Sequence, residues 1–461
     1  MPMMTTAREA RYDSSPQLVF WEMTKACPLA CRHCRASAIS CGLPDQLTTA
    51  EGIKLIDQVA SFGHPSPILI MTGGDVLMRD DLDELIVEAK VRGVRVALAP
   101  AVSPLLSPER AASLRSLGVR SVSISLDGMR EVHEHIRGVD GHFEQTSRAL
   151  DLLQEEGFTV QINSTVMVDT VRELPSIVEF LLTKGIKIWE VFFVIEVGRG
   201  VSMLSLNPSE NEDVAHFLYD MSGYGLVVRT VEAPFFRRIV RERQQGIDNT
   251  GALYAELMTE VHERVGAPHH ASRVALASTR DGKGIIFVAH NGDVYPSGFL
   301  PVTLGSVREQ SLVSIYRDTP LLLELRGARF HGACGSCDYS DLCGGSRSRA
   351  NWAEDFSTAG SMYDWMYNDG WGGTGNTSNL ACTSPTSSGC WGHRANILVS
   401  NSSGYTPVMG AASINESSLG GWIGFESDAT VLTEVANSEL HSVSYSYTWA
   451  QAVAAGADPQ T

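Results

Sequence analysis

Cys27, Cys31 and Cys34 stand in a CxxxCxxC array within the stretch TKACPLACRHCRASAISCG, and Cys41 follows seven residues after the last of them. The nine cysteines of the chain are clustered: these four, then Cys334, Cys337 and Cys343, then Cys382 and Cys390. Such clustering reads as metal binding before disulfide bonding. Thiolates hold iron–sulfur clusters, and a 4Fe-4S cube offers four irons, so three cysteines leave one iron open to a cofactor or substrate. Structural zinc takes four protein ligands, usually from paired CxxC units. Cys41 and His33 are the candidates for a fourth ligand, although His33 lies between two of the cysteines and is expected to point away. Spacing alone leaves cluster and zinc both open.

The elements that must position these thiols alternate along the first 200 residues. Short apolar runs at 17–23, 67–72, 94–100, 121–126, 159–167 and 188–195 read as strands, separated by segments of helical period. One such segment is TAEGIKLIDQVASFG, capped by Thr48 or Thr49; another is SPERAASLRSLG, closed by Gly118. Six β/α units of this kind predict an α/β fold with a parallel sheet, a partial (β/α)6 TIM-like barrel whose chemistry sits at the C-terminal strand ends. Cys27 directly follows the first strand, which places the thiol loop at the barrel mouth. Residues 201–350 change character, with a helix at 208–221, a strand GLVVRTVE and a hairpin turning at Asn291-Gly292, and are expected to form a small α+β accessory domain ending in the second cysteine group. Residues 351–461 hold six of the eight tryptophans, 17 serines, no lysine and a single arginine, Arg394, which marks a third, foreign module.

Composition bounds the function. The 461 residues carry a formal charge of −17, which disfavours a nucleic-acid groove. No apolar run approaches the roughly 18 residues of a membrane span. The N-terminal stretch MPMMTTAREARYDSSPQ lacks an apolar core of signal-peptide type, so the expected compartment is the cytoplasm.

CxxxCxxC after the first strand of a β/α barrel resembles the radical S-adenosylmethionine (SAM) superfamily, over about residues 17–345. The resemblance implies a 4Fe-4S cluster on Cys27, Cys31 and Cys34 whose open iron takes SAM, and an oxidoreductase that cleaves SAM reductively to a 5′-deoxyadenosyl radical. It further implies a reductant partner such as flavodoxin or ferredoxin. Other motifs match position by position. MTGGDVL resembles the family's GGE element, with Gly73 and Gly74 opening backbone carbonyls to the methionine ammonium and Asp75 as the acidic partner. Val76 stands where the family usually has proline. ISLDG brings Ser125 and Asp127 to the mouth, and HIRGVDG brings Arg137; by resemblance Ser125 and Arg137 hold the SAM carboxylate. Asn163, on the same side of its strand as Thr165, resembles a ribose-binding position, and EVGRG at 196–200 is either an adenine-side element or a turn.

The second group, CGSCDYSDLCGGSRSRA, resembles the SPASM extension of radical SAM enzymes that mature peptides or modify haem precursors, and implies an auxiliary iron–sulfur cluster on Cys334, Cys337 and Cys343. A zinc knuckle is the alternative. Arg347 and Ser297 occupy positions where a full two-cluster pattern has cysteine. The substrate implied is a peptide or a tetrapyrrole.

The tail, with NWAEDF and CTSPTSSGCWGHRANIL, resembles the second half of a CAP (SCP-like) domain, matching Glu354 and His393 to pocket residues of that family and implying a Cys382–Cys390 disulfide. The first half of that fold is missing, so 351–461 is expected to be a half-domain fused in place of the end of the SPASM segment. Two other functions remain to be weighed: a secreted CAP-type binding module, and a zinc-stabilised scaffold without catalysis.

Overall fold

A computed structural model of the chain describes residues 12–195, 198–275, 279–327 and 337–343, together with two strands of the tail, 405–415 and 426–436. The chain divides into two compact units, 1–348 and 349–461.

In the first unit, parallel strands β1 (Leu18–Glu22), β2 (Ile68–Thr72), β3 (Arg95–Leu98), β4 (Ser121–Ser125), β5 (Thr159–Val166), β6 (Ile188–Phe193) and β7 (Val227–Val231) lie side by side in chain order. Their burial alternates. On β5, Val160, Ile162, Ser164 and Val166 are buried while Gln161, Asn163 and Thr165 are half-buried. One face is thus sealed by helices and the other lines a partly open, polar barrel interior, rather than both faces being continuously apolar as in a flat doubly covered sheet. On β1 the sealed face carries Trp21, fully buried, against which α1 (Thr49–Ala60) packs so closely that a Cβ on Gly52 would stand 2.7 Å from the indole.

Helix starts follow local chemistry. Thr48 and Glu51 form a capping box on α1: the Thr48 hydroxyl accepts from the Glu51 N–H, and the Glu51 carboxylate accepts from the Thr48 N–H at 2.8 Å. Helices α2 (Leu82–Val91), α3 (Pro108–Leu117), α4 (Arg130–Arg137), α5 (His142–Glu155) and α6 (Leu174–Thr183) complete the β/α units, and α3 ends at Gly118 in the left-handed region, φ +111°. Helix α7 (Pro208–Met221) begins with the same box, Asn207 and Glu210.

The hairpin assigned from sequence to an accessory domain belongs to the barrel sheet. Strand β8 (Arg280–Asp281) leads into β9 (Gly284–Val288), which runs parallel to β1 with Leu18 opposite Ile285 and Trp21 opposite Val288. Strands β10 (Asp293–Tyr295) and β11 (Gly305–Ser306) extend the sheet from there, so β1, carrying the cysteine loop, is an interior strand. The sheet crosses the expected boundary at residue 200 on both sides. Helices α8 (Phe235–Gln244), α9 (Ala252–Val265), α10 (Leu312–Asp318), α11 (Pro320–Gly327) and the single turn α12 (Ser340–Cys343) complete the unit. Among the described residues no helix is long and apolar enough to cross a membrane.

The second unit's described part is an antiparallel pair, β12 (Tyr405–Asn415) and β13 (Glu426–Ala436), in register from Tyr405 opposite Ala436 to Asn415 opposite Glu426. Glu354, Cys382, Cys390 and His393 lie outside the described residues.

Candidate metal and cofactor centre at the barrel mouth

The loop leaving β1 folds back on itself. The Cys27 N–H donates to Ile39 O at 2.7 Å and the Ile39 N–H to Lys25 O at 2.9 Å, so the segment between forms a closed lobe over the strand end. Cys27 and Cys31 are buried, Cys34 is half-buried and Cys41 is exposed; all four are free thiols. Each of the first three sulfurs faces one N–H donor: Leu29 N at 3.4 Å from Cys27 Sγ, Arg137 Nη1 at 3.6 Å from Cys31 Sγ, and Ala38 N at 3.5 Å from Cys34 Sγ. Donors directed at sulfur stabilise thiolates, the ligand form. Burial nevertheless pushes the Cys27 thiol up to about 11, with Cys31, Asp75 and Cys34 adding to the rise, so the thiolate waits for a cation. Three thiolates on one loop can each take a different iron of a cubane cluster and leave the fourth iron open. The donor set fits that cluster.

The glycine pair fixes the stem of this loop. A Cβ on Gly73, whose φ is +137°, would lie 2.4 Å from Thr24 O, and one on Gly74 would lie 2.1 Å from Ala26 O. That closeness lets the Gly74 N–H donate to Thr24 O and the Asp75 N–H to Ala26 O, both at 2.7 Å. Asp75 is fully buried, and its carboxylate is occupied by the next loops, accepting from Leu77 N, Ala101 N and Ser103 Oγ. Burial raises its pKa. The Asp75 carboxylate therefore ties the loop after β2 to the loop after β3. Loop rigidity without the proline comes from this cap and from the buried Val76 in the following 3-10 turn.

Two arginines not singled out from sequence hold the loop from outside. Arg79, buried, donates through Nη1 to Met23 O at 2.8 Å and to Leu47 O at 3.1 Å, joining the two ends of the loop, and pairs with Asp81. Arg199, from the EVGRG segment, donates to Cys31 O and Ala38 O, both at 2.8 Å, while its N–H reaches Cys34 O. Gly198 lies so near that a Cβ would meet Arg35 O at 2.2 Å. The described part of that segment braces the cysteine loop. An arginine after a strand offers no local signal of this role.

At the end of β4, Ser125 sits opposite Asn163 of β5. Asp127, 1% exposed, accepts from the Thr165 N–H at 2.9 Å, pairs with Arg137, and meets His33 Nε2 at 3.1 Å. His33 thus points at Asp127 instead of joining the thiols. Burial disfavours the Asp127 carboxylate, but Arg137 and His33 outweigh it and hold its pKa well below the usual range. Asn163 Oδ1 accepts from Gln161 Nε2 at 2.8 Å; Gln161 also reaches Glu190 and accepts from Arg229, forming a polar strip along the barrel interior.

The β9–β10 hairpin forms the other wall. Arg35, next to Cys34, lies 4.8 Å over the Phe287 ring and 5.9 Å over Phe299, bonds Gly298 O, and pairs with the buried Glu22 at 2.8 Å. Burial raises the Glu22 carboxyl, and Arg35 and His290 overcome this and leave its pKa lowered. Phe287 stacks on Tyr295 at 6.0 Å. In the second cysteine group, Cys337 is a free, exposed thiol and Cys343 ends α12; Cys334, Glu196 and Val197 lie outside the described residues.

Comparison with known proteins places this arrangement. A sequence profile described as the Radical SAM superfamily matches residues 21–181. An AdoMet-dependent heme synthase of Methanosarcina barkeri is 33% identical over 73% of this chain and 93% of its own length, and one of Oleidesulfovibrio alaskensis is 35% identical over 73% and 84%. A mycofactocin maturase MftC of Mycobacterium ulcerans is 27% identical over 72% and 82%. Streptococcus suis SuiB, solved with its precursor peptide SuiA, shares the fold with a TM-score of 0.54 at 16% identity over 74% of each chain. With the thiol loop, the glycine stem and the barrel in place, the chain belongs to the radical SAM superfamily and is a SAM-dependent enzyme.

Proposed function

We propose that the chain is a radical SAM oxidoreductase acting on a haem precursor, with a 4Fe-4S cluster on Cys27, Cys31 and Cys34 and SAM on the open iron. The observation that carries the reading is the lobe after β1, where three thiols each face an N–H donor at the mouth of the barrel. In this site the bound cofactor supplies a 5′-deoxyadenosyl radical for hydrogen abstraction, and the protein supplies position and dryness. Carbonyls of the Gly73–Gly74 loop, Ser125, Arg137 and Asn163 are the residues proposed to hold SAM, with Asp75 supporting the glycine loop from behind. Cys334, Cys337 and Cys343 are proposed to carry an auxiliary cluster, and a small flavodoxin or ferredoxin to deliver the electron.

A tetrapyrrole is favoured because the relatives at 33% and 35% identity reported above, each matched over most of its length, are both named heme synthases. The wall beside the cysteine loop is aromatic, with Phe287, Phe299 and Tyr295 gathered around Arg35, a character compatible with a planar macrocycle nearby. A peptide substrate is the second reading, supported by the mycofactocin maturase relatives. The test is anaerobic incubation of the reconstituted enzyme with SAM, reductant and iron coproporphyrin, followed by mass spectrometry. Consumption of the porphyrin to a product of new mass, coupled to 5′-deoxyadenosine, is expected. An unchanged porphyrin that leaves 5′-deoxyadenosine formation unstimulated overturns the tetrapyrrole reading.

A further inference from the structure

The geometry points to Arg137, held by Asp127, as a positioning residue that sets the reduction potential of the cluster through its N–H to the sulfur of Cys31. This rests on the proposed cluster but goes beyond it, since it assigns the guanidinium to the protein's own sulfur before any SAM arrives.

The fork of Arg137 is divided between two partners: Nη1 lies 3.6 Å from Cys31 Sγ, and Nη2 pairs with Asp127 Oδ2. The side chains are only 11% and 1% exposed, so water does not screen either contact. Asp127 itself cannot swing away. Oδ1 takes the Thr165 N–H, Oδ2 meets His33, and its own N–H donates to His133 Nδ1 at 3.3 Å. Because His133 accepts there, its proton sits on Nε2 and goes to His142 Nδ1 at 2.9 Å, and His142 in turn donates through Nε2 to Val102 O at 3.0 Å. Both rings are buried, and burial lowers both pKa values, so the chain stays neutral and its direction is set by its two ends. The anchor for the guanidinium thus reaches from the end of β4 through α4 and α5 to the loop after β3.

A fixed cation beside one cluster ligand favours the state that has gained an electron, and an N–H···S bond strengthens as charge builds on sulfur. The carboxylate of Asp127 opposes this by neutralising the guanidinium, so the two residues are expected to act on the potential with opposite signs. A residue that only supported the fold would not give opposite signs.

The experiment is an EPR-monitored redox titration of the full chain, anaerobically reconstituted and free of SAM, as wild type, Arg137→Gln and Asp127→Asn. Arg137→Gln is expected to disfavour reduction about tenfold, which for one electron is a downward shift of 59 mV. Asp127→Asn, which keeps the Thr165 contact and leaves the cation unbalanced, is expected to shift the potential upward, and it stands as an independent test should Arg137→Gln take up no cluster. An unchanged potential in Arg137→Gln with weakened SAM binding overturns the proposal and leaves Arg137 a SAM ligand only; so does an unchanged or lowered potential in Asp127→Asn. If the wild type binds no iron and sulfide at all, the failure belongs to the cluster reading.

Discussion

Replacing Gly74 with alanine puts a methyl group 2.1 Å from the carbonyl oxygen of Ala26, one residue before the first thiol. Gly74 lies outside the left-handed region that favours glycine, so the whole cost comes from this approach. Both sides of the contact are backbone, and neither can turn away as a side chain would. The stem must open by about 1 Å to reach an ordinary contact distance, at the overpacking cost of about 1–3 kcal/mol. Opening also stretches the Gly74 N–H to Thr24 O and Asp75 N–H to Ala26 O bonds, at about 1 kcal/mol each. The sum is roughly 3–5 kcal/mol, and at about 2 °C per kcal/mol for a unit of this size the expected fall in Tm is on the order of 6–10 °C. Because the displaced segment leads directly into Cys27, iron and sulfide content after reconstitution should fall as well. Differential scanning calorimetry at one scan rate, with iron and sulfide analysis on the same samples, reads both quantities. Gly327→Ala is the control, since among the described residues nothing lies within 4 Å of its Cβ position, and its Tm should move by no more than about 2 °C. A Gly74→Ala protein with wild-type Tm and full iron would refute the claim that this close approach holds the cysteine loop.

Other outcomes follow from the same geometry. Cys27→Ala should abolish cluster uptake, read as loss of absorbance near 400 nm, whereas Cys41→Ala, at an exposed position, should leave it intact. Arg79→Met removes the clamp between Met23 O and Leu47 O and leaves buried carbonyls unpaired, so it should cost about 2–4 kcal/mol in stability, measured by urea unfolding, and slow cluster uptake. His133 has a folded pKa lowered to about 3, first by burial and then by Arg137, against about 6.5 when unfolded. Between those values the unfolded chain binds the extra proton, so stability should fall with acidification below about pH 6.5, by up to about 1.4 kcal/mol per unit from this group; Tm measured from pH 7.5 to 5.5 should decline less steeply in His133→Gln. Deleting 349–461 should leave iron content largely unchanged, because 1–348 is a compact unit that contains the whole cysteine loop and its stem.

Much of the barrel was legible because its signals are local. Apolar runs bounded by turns mark β1 to β6, and the Asn207-Pro208-Ser209-Glu210 sequence marks the start of α7 by capping chemistry alone. The thiol loop was legible from spacing, since CxxxCxxC after a strand is rare and chemically demanding. What was not legible depends on pairings far apart in the chain. Nothing local in GIIFV says that it will pair with LVFWE some 265 positions earlier, so the hairpin read as a separate domain. Asp75 read as a partner for a ligand because its motif fixes its place but not the reach of Ser103 and Ala101 from the next loop. Arg79 and Arg199 gave no signal at all, because a buried arginine that binds carbonyls looks in sequence like a solvated charge.

The central claim, that the three-cysteine lobe at the end of β1 carries a SAM-cleaving cluster, is tested most directly by quantifying 5′-deoxyadenosine after the reconstituted, reduced wild-type protein is mixed with SAM, alongside Cys27→Ala, Cys31→Ala and Cys34→Ala. The prediction is 5′-deoxyadenosine from the wild type and none from any of the three variants. Formation by a variant equal to wild type, or a fully iron-loaded wild type that releases none, would contradict it.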